Sequence, residues 1–275
     1  MAKKALVVGI DKYKNPDVNL QGCTMDAAVI SGVLQDHYAF PRASLRMLLD
    51  ERATKANMLE RLEWLVKGAK AGDSLVFFYA GHGSQVRDRE GDELDDQMDE
   101  ILCPHDLDWD DPLTDDILNK CFKKVPKGAN LSVMFDCCNS GSGTRSLWAQ
   151  VDHAGKVIGE AVYKKTRYIK PPLDIEYRSR GIKLPKKRIG EVIIQENHVL
   201  LTAATSFQEA QETYFDGQPR GAFSFFLVET LKRLNWKATY RQAHEETLIR
   251  MRDKGLLQIP QLEGPADRLD KPLFS

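Results

Sequence analysis

The chain has 275 residues, of which 42% are hydrophobic and 29% are charged, the profile of an ordinary globular protein. Its 39 basic and 40 acidic residues give a net charge of -1, which excludes a generally basic nucleic-acid-binding protein and an acidic disordered chain. Five cysteines are too few, and odd in number, for a disulfide framework, so we expect a reducing, cytoplasmic location.

Apolar runs and helical spacings alternate along the chain. In chain order they predict strand 5–10, helices 25–37 and 55–70, strand 74–79, helix 115–124, strands 130–135 and 198–203, and helices 222–234 and 240–254. Thr24 and Thr54 are the predicted N-caps of the first two helices. The first apolar run is too short for a secretion signal, and no run reaches the length of a membrane helix, so we expect no membrane partner.

This alternation predicts an α/β fold with a mainly parallel sheet that helices cover on both faces. In such sheets, sites gather at the carboxyl ends of the strands. The Gly-His-Gly motif 81–83 follows strand 74–79, and the Asp-Cys-Cys motif 136–138 follows strand 130–135. We expect residues 1–275 to form one domain with its functional site at this edge of the sheet.

Two segments of opposite charge interrupt the pattern. The acidic loop, residues 88–116, contains fourteen acidic residues and one basic residue. The basic insert, about residues 145–190, contains twelve basic and four acidic residues up to position 188. Because the insert is too long for an ordinary connection, we expect an inserted loop or flap. Its aromatic residues are sparse, so nucleic acid is not an expected partner.

Cys138 and His82 carry the main chemical signal. A cysteine nucleophile needs an imidazole within reach to exchange a proton, and each of these residues lies in a glycine-rich turn after an apolar strand. The small residues that follow Cys138 leave free amides of the kind that hold an oxyanion. Without further context, a lone cysteine is more often a small buried apolar residue. The adjacent Cys137 is a rival nucleophile.

Several ordered stretches resemble the motifs of metacaspases, the caspase-like cysteine peptidases of plants, fungi, protists and bacteria. They are residues 5–9 with 20–27, the His motif at 79–85, the acidic stretch 91–106, the Cys motif at 136–141, and residues 200–204 with 221–226. The resemblance covers about residues 4–142 and 197–235, and nothing in the basic insert matches it.

The resemblance implies a caspase-like three-layer sandwich, built on a mainly parallel sheet of about six strands, and hydrolysis of peptide bonds. Cys138 would attack the scissile carbonyl and His82 would protonate the leaving amine, while the amides of Gly83 and Cys138 would hold the oxyanion. The family spacing Asp-x-Cys-x-Ser-Gly selects Cys138 over Cys137. Protein or peptide substrates and a monomeric state are also implied.

Asp26 and Asp136 match the acids that line the specificity pocket of metacaspases and select Arg or Lys before the scissile bond. Two carboxylates in a partly dry pocket suit a guanidinium. Each acid also has an ordinary structural explanation, Asp26 in the first turn of a helix and Asp136 in the turn after a strand. Cys23 is expected beside this pocket in a structural role.

The acidic loop resembles the loop that binds calcium in many metacaspases, and calcium takes six to eight oxygen ligands. The candidate ligands are Asp92, Glu93, Asp95, Asp96 and Asp99. The alternatives are a solvated acidic face and a patch that contacts the basic insert.

A peptidase that selects Arg or Lys meets many such residues in the basic insert, so we expect self-cleavage there. The candidate positions are Arg167, Arg178, Arg180 and Lys187.

Three alternatives to this cysteine endopeptidase are a caspase-like peptidase of another specificity, a catalytically silent caspase-like scaffold, and a metal-binding or thiol-redox protein. The intact Cys138 and His82 disfavour the scaffold, and the lack of a Cys-x-x-Cys motif disfavours redox chemistry.

Overall fold

The computed structural model describes residues 1–87, 98–138, 165–177, 198–205 and 208–275. Its strands are β1 (Lys3–Gly9), β2 (Leu45–Leu49), β3 (Ser74–Ala80), β4 (Gly83–Arg87), β5 (Met98–Leu102), β6 (Leu113–Thr114), β7 (Asn130–Asp136), β8 (Lys165–Thr166), β9 (His198–Thr202), β10 (Gln211–Phe215), β11 (Gln218–Gly221) and β12 (Gln261–Glu263). Its α-helices are α1 (Cys23–Tyr38), α2 (Lys55–Val66), α3 (Asp115–Phe122), α4 (Leu173–Tyr177), α5 (Ala222–Arg233), α6 (Tyr240–Asp253) and α7 (Ala266–Leu269). Within these residues, no helix has both the length and the apolar character needed to cross a membrane.

The main sheet has six strands in the order β12-β9-β7-β3-β1-β2. The strands from β9 to β2 are parallel, and β12 runs antiparallel to β9 at one edge. β3 is buried along its whole length, as expected for an apolar run at the centre of a sheet flanked by helices. The predicted α/β fold with a mainly parallel sheet of about six strands is confirmed.

The sequence pattern predicts neither edge strand of this sheet. Arg46 interrupts the apolar residues of β2, which is mostly only partly buried, and Gln261 and Glu263 flank the single apolar residue of β12. Neither strand carries the continuous apolar run that marks a central strand.

The start of α1 lies against the carboxyl end of β1. A Cβ atom on Gly9 would come closer than 3.0 Å to the carbonyl oxygen of Cys23, so glycine permits this approach. The prediction that Thr24 is the N-cap is wrong, because the helix begins at Cys23 and Gly22 takes the cap position without a side-chain bond. The Asp11 carboxylate instead accepts hydrogen bonds from the amides of Cys23 (2.7 Å) and Thr24 (3.1 Å). A residue beyond β1 thus satisfies the first amides of the helix.

Thr54 is confirmed as the N-cap of α2, since its side chain accepts a hydrogen bond from the amide of Asn57. The helix ends at Val66 rather than near residue 70. Lys67 is extended and Gly68 has a φ of 70°, so the chain leaves the helical conformation four residues earlier than the pattern predicts.

Two small three-stranded sheets have the orders β4-β5-β6 and β11-β10-β8. β8 pairs with β10 through residues 165–166, and a parallel bridge joins Gly83 of β4 to Tyr168. Residues 165–169 of the basic insert, which we call the cleft segment, therefore run from one small sheet to the other.

Candidate active site

The main sheet brings His82 and Cys138 to the same edge. β3 and β7 are parallel neighbours, and their last residues, Ala80 and Asp136, lie opposite each other in register. His82 and Cys138 each follow these strand ends by two residues. The two predicted catalytic residues thus lie at the carboxyl edge of adjacent strands, and both are buried.

The cleft segment lies across this edge. The carbonyl oxygen of Arg167 accepts hydrogen bonds from the amides of Gly83 (2.9 Å) and Cys138 (3.2 Å). These are the two amides that are predicted to hold an oxyanion. The amide of Arg167 itself donates to the carbonyl of Ala210 (3.0 Å), so the backbone of Arg167 is held at both its amide and its carbonyl.

The side chain of Arg167 is fully buried among the carboxylates of Asp26, Asp136 and Glu212, which together we call the arginine pocket. Its Nη2 lies 2.7 Å from Asp26 and 3.3 Å from Glu212. Its Nη1 lies 3.1 Å from the carboxylate of Asp136. The two acids predicted to line the specificity pocket therefore meet at one guanidinium, together with a third acid that no sequence motif indicates.

A second arginine balances part of the charge in the arginine pocket. Arg220 Nε lies 2.5 Å from Asp26, which also accepts a hydrogen bond from the amide of Gly221 (2.8 Å). Burial raises the pKa of Asp26 to about 6, and the charges of Arg167 and Arg220 oppose that rise. Because all of these groups are buried or nearly so, removal of either arginine would leave the three carboxylates with a single cation.

Backbone amides hold the other two carboxylates. Glu212 accepts hydrogen bonds from the amides of Gln21 and Gly22, each at 2.9 Å, and Asp136 accepts one from the amide of Ser224 at 3.0 Å. Cys23 lies beside the pocket, with its Sγ 3.8 Å from the Glu212 carboxylate. Burial raises the pKa of the Cys23 thiol well above its ordinary value, so this thiol is neutral.

The ring of His82 is held in one tautomer. Its Nε2 lies 2.6 Å from the carbonyl oxygen of Val18, which only accepts hydrogen bonds, so Nε2 carries the proton and Nδ1 does not. Nδ1 is buried and has no hydrogen-bond partner among the residues that the structure describes. Burial lowers the pKa of His82 to about 3, and contacts with the backbone at Val18 and Arg167 oppose that shift. The ring is thus neutral, with a free lone pair for a proton.

The thiol of Cys138 is enclosed by the cleft segment and the residue before β10. Its Sγ accepts a hydrogen bond from the amide of Ala210 (2.8 Å), donates to the carbonyl of the same residue (3.3 Å) and lies 3.5 Å from the Thr166 hydroxyl. Burial raises the pKa of Cys138 to about 12. Cys137 is also buried, and burial raises the pKa of its thiol well above the ordinary value. Both thiols are therefore neutral in this arrangement.

Part of the predicted site falls outside the described residues. Asp99 lies in β5 and is largely buried. The other candidate calcium ligands, Asp92, Glu93, Asp95 and Asp96, lie outside the described residues, as do the candidate cleavage positions Arg178, Arg180 and Lys187. The calcium site and these three positions stay predictions.

The chain is similar to curated metacaspases. A family profile described as "Metacaspase, peptidase C14 domain" matches residues 3–145. Metacaspase-1A of Aspergillus niger is 38% identical in an alignment that covers 94% of this chain and 69% of the relative. Alignments with other curated metacaspases cover from 32% to 70% of the length of the relative.

Solved structures show the same fold. A protein of Geobacter sulfurreducens matches with a TM-score of 0.69 at 24% identity, covering 100% of this chain and 99% of that one. Caspase-1 of Spodoptera frugiperda matches with a TM-score of 0.57 at 12% identity, covering 95% of this chain and 86% of that one. The predicted caspase-like sandwich is confirmed. Because the family profile spans half of the chain and the Aspergillus niger relative aligns with nearly all of it, the chain belongs to the metacaspase family of cysteine peptidases.

Proposed function

We propose that the protein is a cysteine endopeptidase that cuts after arginine and that the bond between Arg167 and Tyr168 is its first substrate. The observation that carries this proposal is the placement of Arg167. Its side chain fills the arginine pocket, while its carbonyl accepts hydrogen bonds from the amides of Gly83 and Cys138. A peptide held by its arginine side chain and by this carbonyl has the carbonyl beside the nucleophile. Its entropy of orientation is then lost on binding and not in the chemical step.

In the proposed reaction, these residues act in the following order. His82 Nδ1 takes the proton of the Cys138 thiol, and the sulfur attacks the carbonyl carbon of Arg167. The amides of Gly83 and Cys138 stabilise the charge that develops on the oxygen. His82 then protonates the nitrogen of Tyr168, the C–N bond breaks, and a thioester remains on Cys138. A water molecule that gives a proton to His82 hydrolyses this thioester and restores the thiol.

The uncut chain is expected to be latent. The cleft segment fills the site and helps to exclude water from Cys138 and His82. Burial raises the pKa of the Cys138 thiol and lowers the pKa of His82, so both shifts disfavour the charged thiolate–imidazolium pair. When the segment moves after cleavage, water enters the cleft, and burial then shifts the pKa values of Cys138 and His82 less. Cleavage of the bond after Arg167 is therefore both the first turnover and the step that frees the cleft for other substrates.

The arginine pocket favours arginine over lysine. The two terminal nitrogens of Arg167 serve different carboxylates, Nη2 those of Asp26 and Glu212 and Nη1 that of Asp136. A lysine ammonium is a single point charge and cannot bridge both sides of the pocket with the same geometry. We expect lysine to be accepted at a lower rate.

The test is hydrolysis of fluorogenic peptides with Arg, Lys or Asp before the cleaved bond, with and without millimolar calcium. We expect cleavage after Arg, slower cleavage after Lys and none after Asp. We further propose that calcium raises the rate through the acidic loop. Cys138→Ala should lose all activity and keep its fold. Activity in that variant would overturn Cys138 as the nucleophile, and no cleavage under any condition would favour the silent scaffold.

Asp136→Asn should weaken the recognition of arginine. The change keeps the shape of the side chain and removes the charge opposite Nη1 of the arginine. A hydrogen bond to a charged group contributes about 1.5–3 kcal/mol, so kcat/KM for an Arg peptide should fall roughly tenfold to a hundredfold, mainly through KM. Steady-state kinetics on self-cleaved protein measure this, with the exposed Asp267→Asn as the matched control. Unchanged kinetics would remove Asp136 from the specificity pocket.

The pKa of His82 predicts a pH dependence of stability. Since burial lowers this pKa from 6.5 to about 3, the unfolded state binds more protons at His82 as the pH falls below 6.5. The free energy of unfolding then decreases, by at most about 1.4 kcal/mol per pH unit. In urea unfolding, Cys138→Ala should lose more stability between about pH 6 and pH 4 than Cys138→Ala/His82→Asn.

The comparison between these two proteins removes the effect of Asp26. Its folded pKa is raised from 3.8 to about 6, so it stabilises the folded state as the pH falls, in both proteins alike. Equal losses in the two proteins would mean that His82 is not a buried neutral imidazole.

A further inference from the structure

The cleft segment also contacts the protein beyond the bond that is to be cut. After Arg167 the chain runs beside β4, where a parallel bridge joins Tyr168 to Gly83. The amide of Ile169 donates to the carbonyl of Gly83 (3.1 Å), whose amide binds the Arg167 carbonyl (2.9 Å). Gly83 thus contacts the peptide on both sides of the bond between Arg167 and Tyr168.

Ser84 makes the next contact. Its Oγ donates a hydrogen bond to the carbonyl oxygen of Ile169, at 2.5 Å, and the residue is fully buried. A buried hydroxyl without a partner is destabilising, so Ser84 is stabilised when a peptide carbonyl accepts its hydrogen bond. Because this hydrogen bond is made to the backbone of Ile169 and not to its side chain, it can form with peptides that have other residues at this position.

We propose that Ser84 is a positioning residue that binds the backbone carbonyl of the second residue after the scissile bond in peptide substrates. This inference rests on the proposed function. With Gly83, Ser84 fixes the leaving part of the substrate through two backbone hydrogen bonds, so that the nitrogen of the scissile bond stays in place for protonation. The preferred substrates are therefore chains that continue for at least two residues beyond the arginine.

The test compares two peptides that differ only in the terminal carboxamide, which contains this carbonyl. The first is acetyl-Lys-Thr-Arg-Tyr-Ile-amide, which copies the cleft segment. The second is acetyl-Lys-Thr-Arg-Tyr 2-methylbutylamide, which keeps the amide and side chain of the final residue but has a hydrogen atom in place of its carboxamide. In self-cleaved wild-type protein, kcat/KM should be about 3- to 10-fold higher for the first peptide, the usual effect of one neutral hydrogen bond. The ratio should fall to about one in Ser84→Ala, because nothing is left to bind the carbonyl.

Each ratio is taken within one protein, so a general loss of folding or competition by residues 168–177 affects both peptides alike and cancels. Ser31→Ala is the matched control, since Ser31 is another buried serine and its side chain accepts a hydrogen bond within α1. It should keep the wild-type ratio. If Ser84→Ala does not fold, Ser84→Cys, which carries a much weaker donor, should lower the ratio in the same direction.

Two failures are distinguishable. If neither peptide nor an acetyl-Lys-Thr-Arg aminocoumarin substrate is cleaved, the proposed function fails. If the peptides are cleaved but the ratio is already one in the wild-type protein, or is the same with and without the Ser84 hydroxyl, the assignment of Ser84 is overturned while the peptidase stands.

Discussion

Arg167→Gln is expected to abolish cleavage of the bond between residues 167 and 168. The guanidinium of Arg167 contacts three buried carboxylates, and glutamine supplies no charge to replace it. Removal of one partner from a buried ion pair costs about 3–5 kcal/mol, which corresponds to a loss of occupancy of the cleft by a factor of roughly a hundred or more. Without that occupancy the Arg167 carbonyl is no longer held at the amides of Gly83 and Cys138.

Intact-mass spectrometry on purified protein, incubated with and without calcium, measures this cleavage. The wild-type chain should give one fragment that ends at Arg167 and one that begins at Tyr168. Lys170→Gln is the matched control, because Lys170 is an exposed base three residues away, and it should be cut like the wild type. Cys138→Ala should stay intact. A chain with Arg167→Gln that is still cut at this bond, or cleavage at this bond in Cys138→Ala, would contradict self-processing at this position.

Much of the fold is predictable from local patterns. The apolar runs of β3 and β7 and the helix cap at Thr54 have signals within a few residues, and the alternation of strands and helices places residues 82 and 138 at one edge of the sheet. The edge strand β2 and the two-residue β8 lack such signals, because their pairing depends on what lies beside them in the folded chain.

The arginine pocket is only partly predictable for the same reason. Asp26 and Asp136 stand within motifs, whereas Glu212 is an acid in an ordinary strand sequence and becomes part of the pocket only when β10 lies beside the start of α1. Arg167 is one of twelve basic residues between positions 145 and 188. Nothing local distinguishes it from Arg178 or Lys187, because the contact that singles it out joins residues 141 positions apart.

Gly221 lines the arginine pocket, and its replacement by alanine tests the pocket without removing any of its charged groups. Gly221 is the N-cap of α5, with φ -66° and ψ 133°, a backbone conformation that alanine also adopts. A Cβ atom at this position would lie closer than 3.0 Å to the carboxylate of Asp136 and to Nη1 of Arg167. Gly221→Ala should therefore displace the guanidinium or the carboxylate from the pocket while the amide of Gly221 remains available to Asp26.

We expect kcat/KM for Arg peptides to fall roughly a hundredfold or more in Gly221→Ala, since about two hydrogen bonds between charged groups are lost and each contributes about 1.5–3 kcal/mol. The bond after Arg167 should also stay uncut in this variant. Gly32→Ala is the matched control, because Gly32 lies in α1 and an added methyl group there meets nothing within 4 Å. Peptide kinetics, with thermal unfolding and near-ultraviolet circular dichroism to verify the fold, decide the outcome. A folded Gly221→Ala protein with wild-type kinetics would show that substrate arginine binds elsewhere than the position now taken by Arg167.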